Sequence, residues 1–293
     1  MISLSPEQRT PPVKLWRLKI RDLWRFLTRQ PLSFWLICFY LFIEYVRPQQ
    51  VWPVLDVAPW GQIAIYGSLV SLLFEGGIPR LRGTLAWLYL LFVAVVLASS
   101  FAAVRPSESW EMISLPLSWF LIFLLITNIV TTERRWLVFM LSFLLYSFKM
   151  SQHGFRTWAS IGFGFQSWGA TGGPGWFHNS GEFGIQMCVF FPLSVAFFMA
   201  LRQYWDRWTL ILFVAMPVTA VASMIASSSR GALVGGAAVL AWMVLRSKYR
   251  VRGAIYGVLA LALVVVLVPD EQKERFEAAG EDDTSIARIT RWK

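Results

Sequence analysis

Two cysteines and two histidines are all the thiols and imidazoles in 293 residues. Cys38 and Cys188 both fall inside apolar runs, where a small buried side chain is the expected role and a disulfide or metal ligand is not. His153 and His178 have no partner at a ligand spacing, so no metal site is expected. No Gly-Lys-Ser/Thr follows the glycine-rich stretch 151–182, which excludes a P-loop. No internal repeat is visible, which weighs against a transporter built from two related halves. The first strongly apolar run begins only at Pro31, so no cleavable leader is expected. Charge is also scarce, at 15% of residues.

What the chain has instead is apolar and aromatic. It is 56% hydrophobic, with 16 Trp, 23 Phe and a mean hydropathy of +0.54. That composition excludes a soluble domain and predicts an all-α, polytopic integral membrane protein, because only helices satisfy their own backbone in lipid here. Nine spans are expected, at about 31–46, 59–75, 84–103, 113–130, 135–150, 183–201, 208–226, 231–246 and 252–268, with ends good to roughly 2–4 residues. The net charge of +10 does not indicate nucleic acid, because the basic residues gather at helix ends and in the N-terminal tail. Before residue 269, 17 basic residues fall on one side of the spans and 5 on the other (Arg47, Arg105, Lys149, Arg156 and Arg230). The positive-inside rule then puts the N-terminus in the cytoplasm and Arg230, the loop 151–182 and the C-terminal tail on the outer face. The chain divides into a basic cytoplasmic tail (1–30), a helical membrane domain (31–268) and a polar, acidic segment (269–293). Residues 13–29 are expected to form one amphipathic helix on anionic lipid, with Trp16, Ile20, Leu23, Trp24 and Leu27 on one face and Lys14, Arg17, Arg21 and Arg25 on another.

The most informative short stretch is Ser227-Ser228-Ser229-Arg230-Gly231-Ala232. It sets a permanent guanidinium between two apolar segments, where charge is costly and usually functional. A helix starting near Gly231 would be capped by the serines and would add free N–H groups and a positive dipole end beside Arg230. The expected site is therefore anionic in its ligand, sized for phosphate or diphosphate, with Arg230 as the principal residue and Ser229 beside it. The plainer alternative is an arginine snorkelling to the interface. Arg156 in the outer loop and Lys149 at a helix end are candidate additional contacts to the same anion, against solvation or snorkelling. His178, Asn179 and Glu182 precede the next span. All three are candidate substrate contacts: capping of a helix near Gly181 and its dipole explain Asn179 and Glu182 structurally, with orientation of the acceptor hydroxyl by Glu182 and sugar contact or base chemistry by His178 as the rival readings. Glu44 and Arg47, three residues apart, are expected to pair at a helix end.

Four stretches together resemble the O-antigen ligase and polymerase superfamily, most closely the O-glycosylation ligases associated with the exosortase A system. They are Lys149 to Gly154; Gly173-Pro174-Gly175 with Phe177 to Gly184 and Phe191-Pro192-Leu193; Ser228 to Ala232; and Asp283 to Trp292. The likeness covers roughly residues 31–293. It implies a helical fold related to the class C glycosyltransferases, in the bacterial inner membrane, that works without a metal or other cofactor. Its expected donor is a glycan on undecaprenyl diphosphate, taken up on the periplasmic face. The acceptor is lipid A–core or a protein in a ligase, and another lipid-linked repeat in a polymerase, so the implied role is lipopolysaccharide or exopolysaccharide biosynthesis. Members of the family continue past the Arg-x-x-x-Trp stretch into a large periplasmic loop that carries the base, and by that comparison this chain is expected to be C-terminally truncated. A transporter for lipid-linked anions and a non-catalytic scaffold are the rival readings.

Overall fold

The computed structural model describes residues 13–164, 169–173 and 177–246, with the isolated positions 257, 262, 286 and 290. The expected ninth span (252–268), the acidic segment (269–293), the first twelve residues and Pro174-Gly175 lie outside the described residues, those isolated positions apart. Among the described residues every regular element is a helix. Five stretches are long and apolar enough to cross a membrane: Pro53–Phe74, Gly83–Phe101, Pro106–Ile129, Ser180–Tyr204 and Arg207–Ala226. Many of their large apolar side chains are exposed, including Leu85, Trp87, Leu88, Leu91 and Phe92 on one helix, which on helices of spanning length fits a lipid-facing surface. The chain is thus an α-helical membrane protein. It separates into two compact units, Met1–Phe143 and Leu144–Lys293.

The first unit opens with α1 (Val13–Trp16) and α2 (Ile20–Leu27). The expected single amphipathic helix over 13–29 is therefore broken, because Leu18 turns into the left-handed region at φ 51°. Leu23, Phe26 and Leu27 of α2 pack on the unit's core, while Ile20 and Trp24 stay exposed. Next come α3 (Leu32–Val46), α4 (Pro48–Val51), α5 (Trp60–Phe74), α6 (Gly83–Phe101), α7 (Pro106–Met112) and α8 (Ser114–Ile129). At 15 residues α3 rises only about 22 Å, less than the hydrocarbon thickness. Phe34, Ile37, Ile65, Leu72, Leu125, Ile129 and Val138 form the core that joins α3, α5 and α8 to the start of α9 (Glu133–Ser160). The expected Glu44–Arg47 pair is present at 3.6 Å.

One end of this core is tied by polar groups. Glu75, the residue after α5, accepts from Ser33 N at 3.0 Å, Ser33 Oγ at 2.6 Å and Ser71 Oγ at 2.8 Å. Burial by itself would raise this carboxyl's pKa. The hydrogen bonds from Ser33 and Ser71 and the charge of Arg135 outweigh it and hold the group below its ordinary value. Arg135 donates to Gln30 Oε1 at 2.8 Å and to the Ile129 carbonyl at 3.0 Å, a cation at the negative end of α8.

The second unit contains the rest of α9, then α10 (Ser180–Leu201), α11 (Arg207–Ala226) and α12 (Arg230–Arg246). Here the structure departs from the sequence reading. The outer loop was expected to begin at residue 151, yet α9 continues to Ser160, so His153 and Arg156 are helical. Gly154 is the reason. A Cβ there would lie 2.6 Å from the Phe183 ring and 2.8 Å from Ser223 Oγ, so the glycine lets α9 pack against α10 and α11. Ser223 Oγ donates to the Ser151 carbonyl at 2.8 Å and adds a polar tie to that contact. Pro192 and Pro217 lie inside α10 and α11 without ending either helix.

Candidate functional site

The site is built by the turn between α11 and α12, and its three serines have different tasks. Ser227 is fully buried, and its hydroxyl donates to the Met224 carbonyl at 2.7 Å, which closes the end of α11. Ser228 takes the left-handed conformation at φ 53°, the reversal that lets a second helix begin at once. Ser229 is the N-cap of α12, its Oγ accepting from the Ala232 N–H at 3.3 Å. The expected cap is present, and α12 starts one residue early, so Arg230 occupies the first helical position.

Asn179 does the same for α10. Its Oδ1 accepts from the Gly181 N–H at 2.7 Å, and its backbone is extended, as an N-cap requires. Glu182 lies on the exposed side of the first turn, and His178 is exposed just before the cap.

The two helix starts are neighbours. A Cβ on Gly181 would stand 3.7 Å from Ser229 Oγ, one on Gly184 would stand 2.5 Å from the Ala232 Cβ, and one on Gly235 would stand 3.6 Å from Cys188 Sγ. The paired positions advance together along both chains, so α10 and α12 run parallel from a common end. Small residues at Gly181, Gly184 and Cys188 allow that close approach. Cys188 Sγ donates to the Ala232 carbonyl at 3.1 Å across the same seam.

Two positive dipole ends therefore sit side by side. Asn179 and Ser229 each satisfy one first-turn N–H, which leaves others for water or an anion. α12 has no acidic residue in its first turn and carries Arg230 there instead. A cation at a helix N-terminus is in the unfavourable place by the dipole rule, and an anionic ligand reverses that penalty.

Gly169 and Ala170, in the loop before α10, lie against this turn. Ala170 N donates to the Ala226 carbonyl at 2.8 Å, and Gly169 lies so close to Ser227 that no side chain fits there. Gly173, at φ +77°, approaches the His153 ring: a Cβ on it would be 3.2 Å from His153 Cδ2.

Lys149, His153 and Arg156 are spaced i, i+4 and i+7 and share one face of α9. Beyond the apolar stretch that ends at Met150, burial and then the charges of Arg156 and Lys149 push the His153 pKa down. Arg156 is exposed, with Nε donating to the Gln152 carbonyl at 3.3 Å. The structure thus brings together Ser229, Arg230 and the Asn179–Glu182 turn. Lys149 and Arg156 belong to a second basic group on α9, with His153 between them. In the sequence His153 lacks a metal-spaced partner and has no expected role. The signal that finds it is its helical spacing from Lys149 and Arg156, which is visible only once α9 is continued through Gly154.

No protein-family model, curated protein or solved structure matches this chain.

Proposed function

We propose that this protein is a membrane glycan ligase of the O-antigen ligase type, and that the paired starts of α10 and α12 hold the diphosphate of an undecaprenyl-diphosphate-linked glycan. The observation that supports this reading most is Arg230 in the first turn of α12 beside a second helix N-terminus, an arrangement that favours an anion with two charged groups.

In the proposed reaction an acceptor hydroxyl attacks the anomeric carbon of the glycan. A new C–O bond forms to the acceptor as the C–O bond to the diphosphate breaks, with inversion at that carbon. Undecaprenyl diphosphate leaves with the bonding electron pair. Arg230 and the first-turn N–H groups of α10 and α12 stabilise the charge that grows on it. The hydroxyl proton passes to a base, which the family resemblance puts in the periplasmic loop that follows the Arg-x-x-x-Trp stretch. Lys149 and Arg156 serve as secondary contacts to the anionic donor, and the exposed His178 and Glu182 are assigned as contacts to its sugar. The site faces the periplasm and the N-terminus the cytoplasm in this reading. A polymerase would use the same donor site with a lipid-linked acceptor.

The test is glycan transfer in inner-membrane vesicles that carry the protein together with the periplasmic loop that supplies the base, given undecaprenyl-diphosphate-linked glycan and lipid A–core. Arg230→Ala and Arg230→Lys are each expected to lower transfer by about 10²–10³-fold, the size seen when a preorganised charge-stabilising donor is removed, with insertion unchanged. Undiminished transfer by Arg230→Ala would overturn the proposal. Elongation of the lipid-linked glycan in place of transfer to lipid A–core would assign the polymerase reaction.

A further inference from the structure

A second cationic site lies in the first unit, far in sequence from Arg230. The turn between α5 and α6, with Asn128 of α8, lines an open cleft of about 250 Å³. Gly76, Gly77, Ile78, Arg80, Arg82 and Asn128 line it.

The turn is fixed by its backbone. Gly77 N donates to the Leu72 carbonyl at 2.9 Å and Gly76 N to the Leu73 carbonyl at 3.0 Å, with Gly76 at φ +77°. This pair closes the C-terminus of α5 and requires glycine at the left-handed position. Asn128 then holds the far side of the turn. Its Oδ1 accepts from Arg80 N at 3.0 Å, and its Nδ2 donates to the Arg80 carbonyl at 2.9 Å and the Leu124 carbonyl at 2.8 Å. The side chain of Asn128 is fully engaged in gripping the backbone of Arg80.

What this rigid turn displays is two guanidinium groups. Among the described residues, neither Arg80 nor Arg82 makes a side-chain hydrogen bond or an ion pair. The nearby carboxylate, Glu75, is already bound by Ser33 and Ser71 and has Arg135 as its charged neighbour. Two exposed arginines on a pinned turn have no internal charge to answer them. Apolar side chains are exposed beside these arginines: Ile78 of the lining is 71% exposed, and Phe74, the last residue of α5, is 89% exposed. A cleft lined by two exposed arginines, with exposed apolar side chains on the turn that joins two membrane-spanning stretches, matches a phosphate whose carrier is embedded in lipid.

We propose that Arg80 and Arg82 form a phosphate-binding cleft, and that Ile78 and Phe74 favour the phosphate of a phospholipid headgroup over free phosphate. Asn128 is the positioning residue. The site does not depend on the transfer reaction or on which leaflet it faces, because both leaflets carry phospholipid phosphate.

The test is native mass spectrometry of the full chain in neutral detergent, titrated with phosphatidylglycerol, phosphatidylcholine or inorganic phosphate. Arg80→Gln/Arg82→Gln is compared with Arg202→Gln/Arg207→Gln, which removes the same charge from another exposed helix end. The expected result is at least fivefold weaker retention of phosphatidylglycerol in the first variant and wild-type retention in the second. Equal loss in both variants would show diffuse attraction to basic loops and overturn the proposal. Should the glutamine pair fail to fold, Arg80→Lys/Arg82→Lys keeps the charge and removes the forks. At least threefold weaker retention is expected there, and unchanged retention would overturn the proposal. Displacement of the lipid by millimolar phosphate would assign the site to free phosphate, and retention against it would assign the site to the lipid.

Discussion

Ser228 holds a left-handed backbone that a residue with a Cβ adopts at a cost, and it does so directly between the end of α11 and Ser229. Glycine takes the same conformation freely. Ser228→Gly should therefore leave the turn intact and raise stability by up to about 1 kcal/mol, whereas the β-branched Ser228→Val should lower it. Thermal unfolding in detergent, followed by intrinsic tryptophan fluorescence, reads both. Glu75 makes a second prediction at this scale. Its folded pKa lies below the ordinary carboxylate value, so its ionised form contributes stability above that range. The contribution is lost as pH falls through the lowered pKa, when Ser33 and Ser71 no longer meet a carboxylate. Wild type should lose stability progressively below about pH 4, and Glu75→Gln should show less of that acid dependence. Identical acid profiles for the two proteins would contradict this role.

At the scale of elements, the seam between α10 and α12 decides whether the two N-termini stay together. Gly184→Ala puts a Cβ 2.5 Å from the Ala232 Cβ and 2.6 Å from Ser227 Oγ. It should destabilise by about 1–3 kcal/mol, as overpacking does, and it should weaken donor binding as the helix starts separate. Adding Ala232→Gly removes one of the two clashes and should restore part of the loss, measured by the same unfolding assay. The helix starts themselves were legible in the sequence, because Asn179 and Ser229 are N-cap residue types placed just before apolar runs. The length of α9 was not. Gly154 reads as a helix breaker in sequence, and its use as a contact point for Phe183 and Ser223 depends on residues 29 and 69 positions away. The same limit applies to residues 13–29, where the amphipathic pattern runs unbroken through Leu18 although the backbone turns there. The parallel pairing of α10 with α12 was likewise invisible, since small residues along a helix do not name their partner.

For the whole molecule, hydropathy identified an α-helical membrane protein, and five stretches meet the length and composition needed to span. The charge bias adds a prediction about sidedness. Single cysteines at Asp56, Arg105 and His178 should react with an impermeant maleimide in intact cells, and cysteines at Arg82 and Arg207 should react only after the membrane is opened. The opposite pattern would move the Arg230 turn to the cytoplasm and remove it from the side where the donor is proposed to be taken up. The most direct test of the central claim is binding of undecaprenyl diphosphate to the purified chain, compared with undecaprenol, for wild type and Arg230→Ala. Wild type should bind the diphosphate at least tenfold more tightly than the alcohol, and Arg230→Ala should lose this preference. Equal affinity of wild type for both lipids, or an undiminished preference in Arg230→Ala, would contradict that claim.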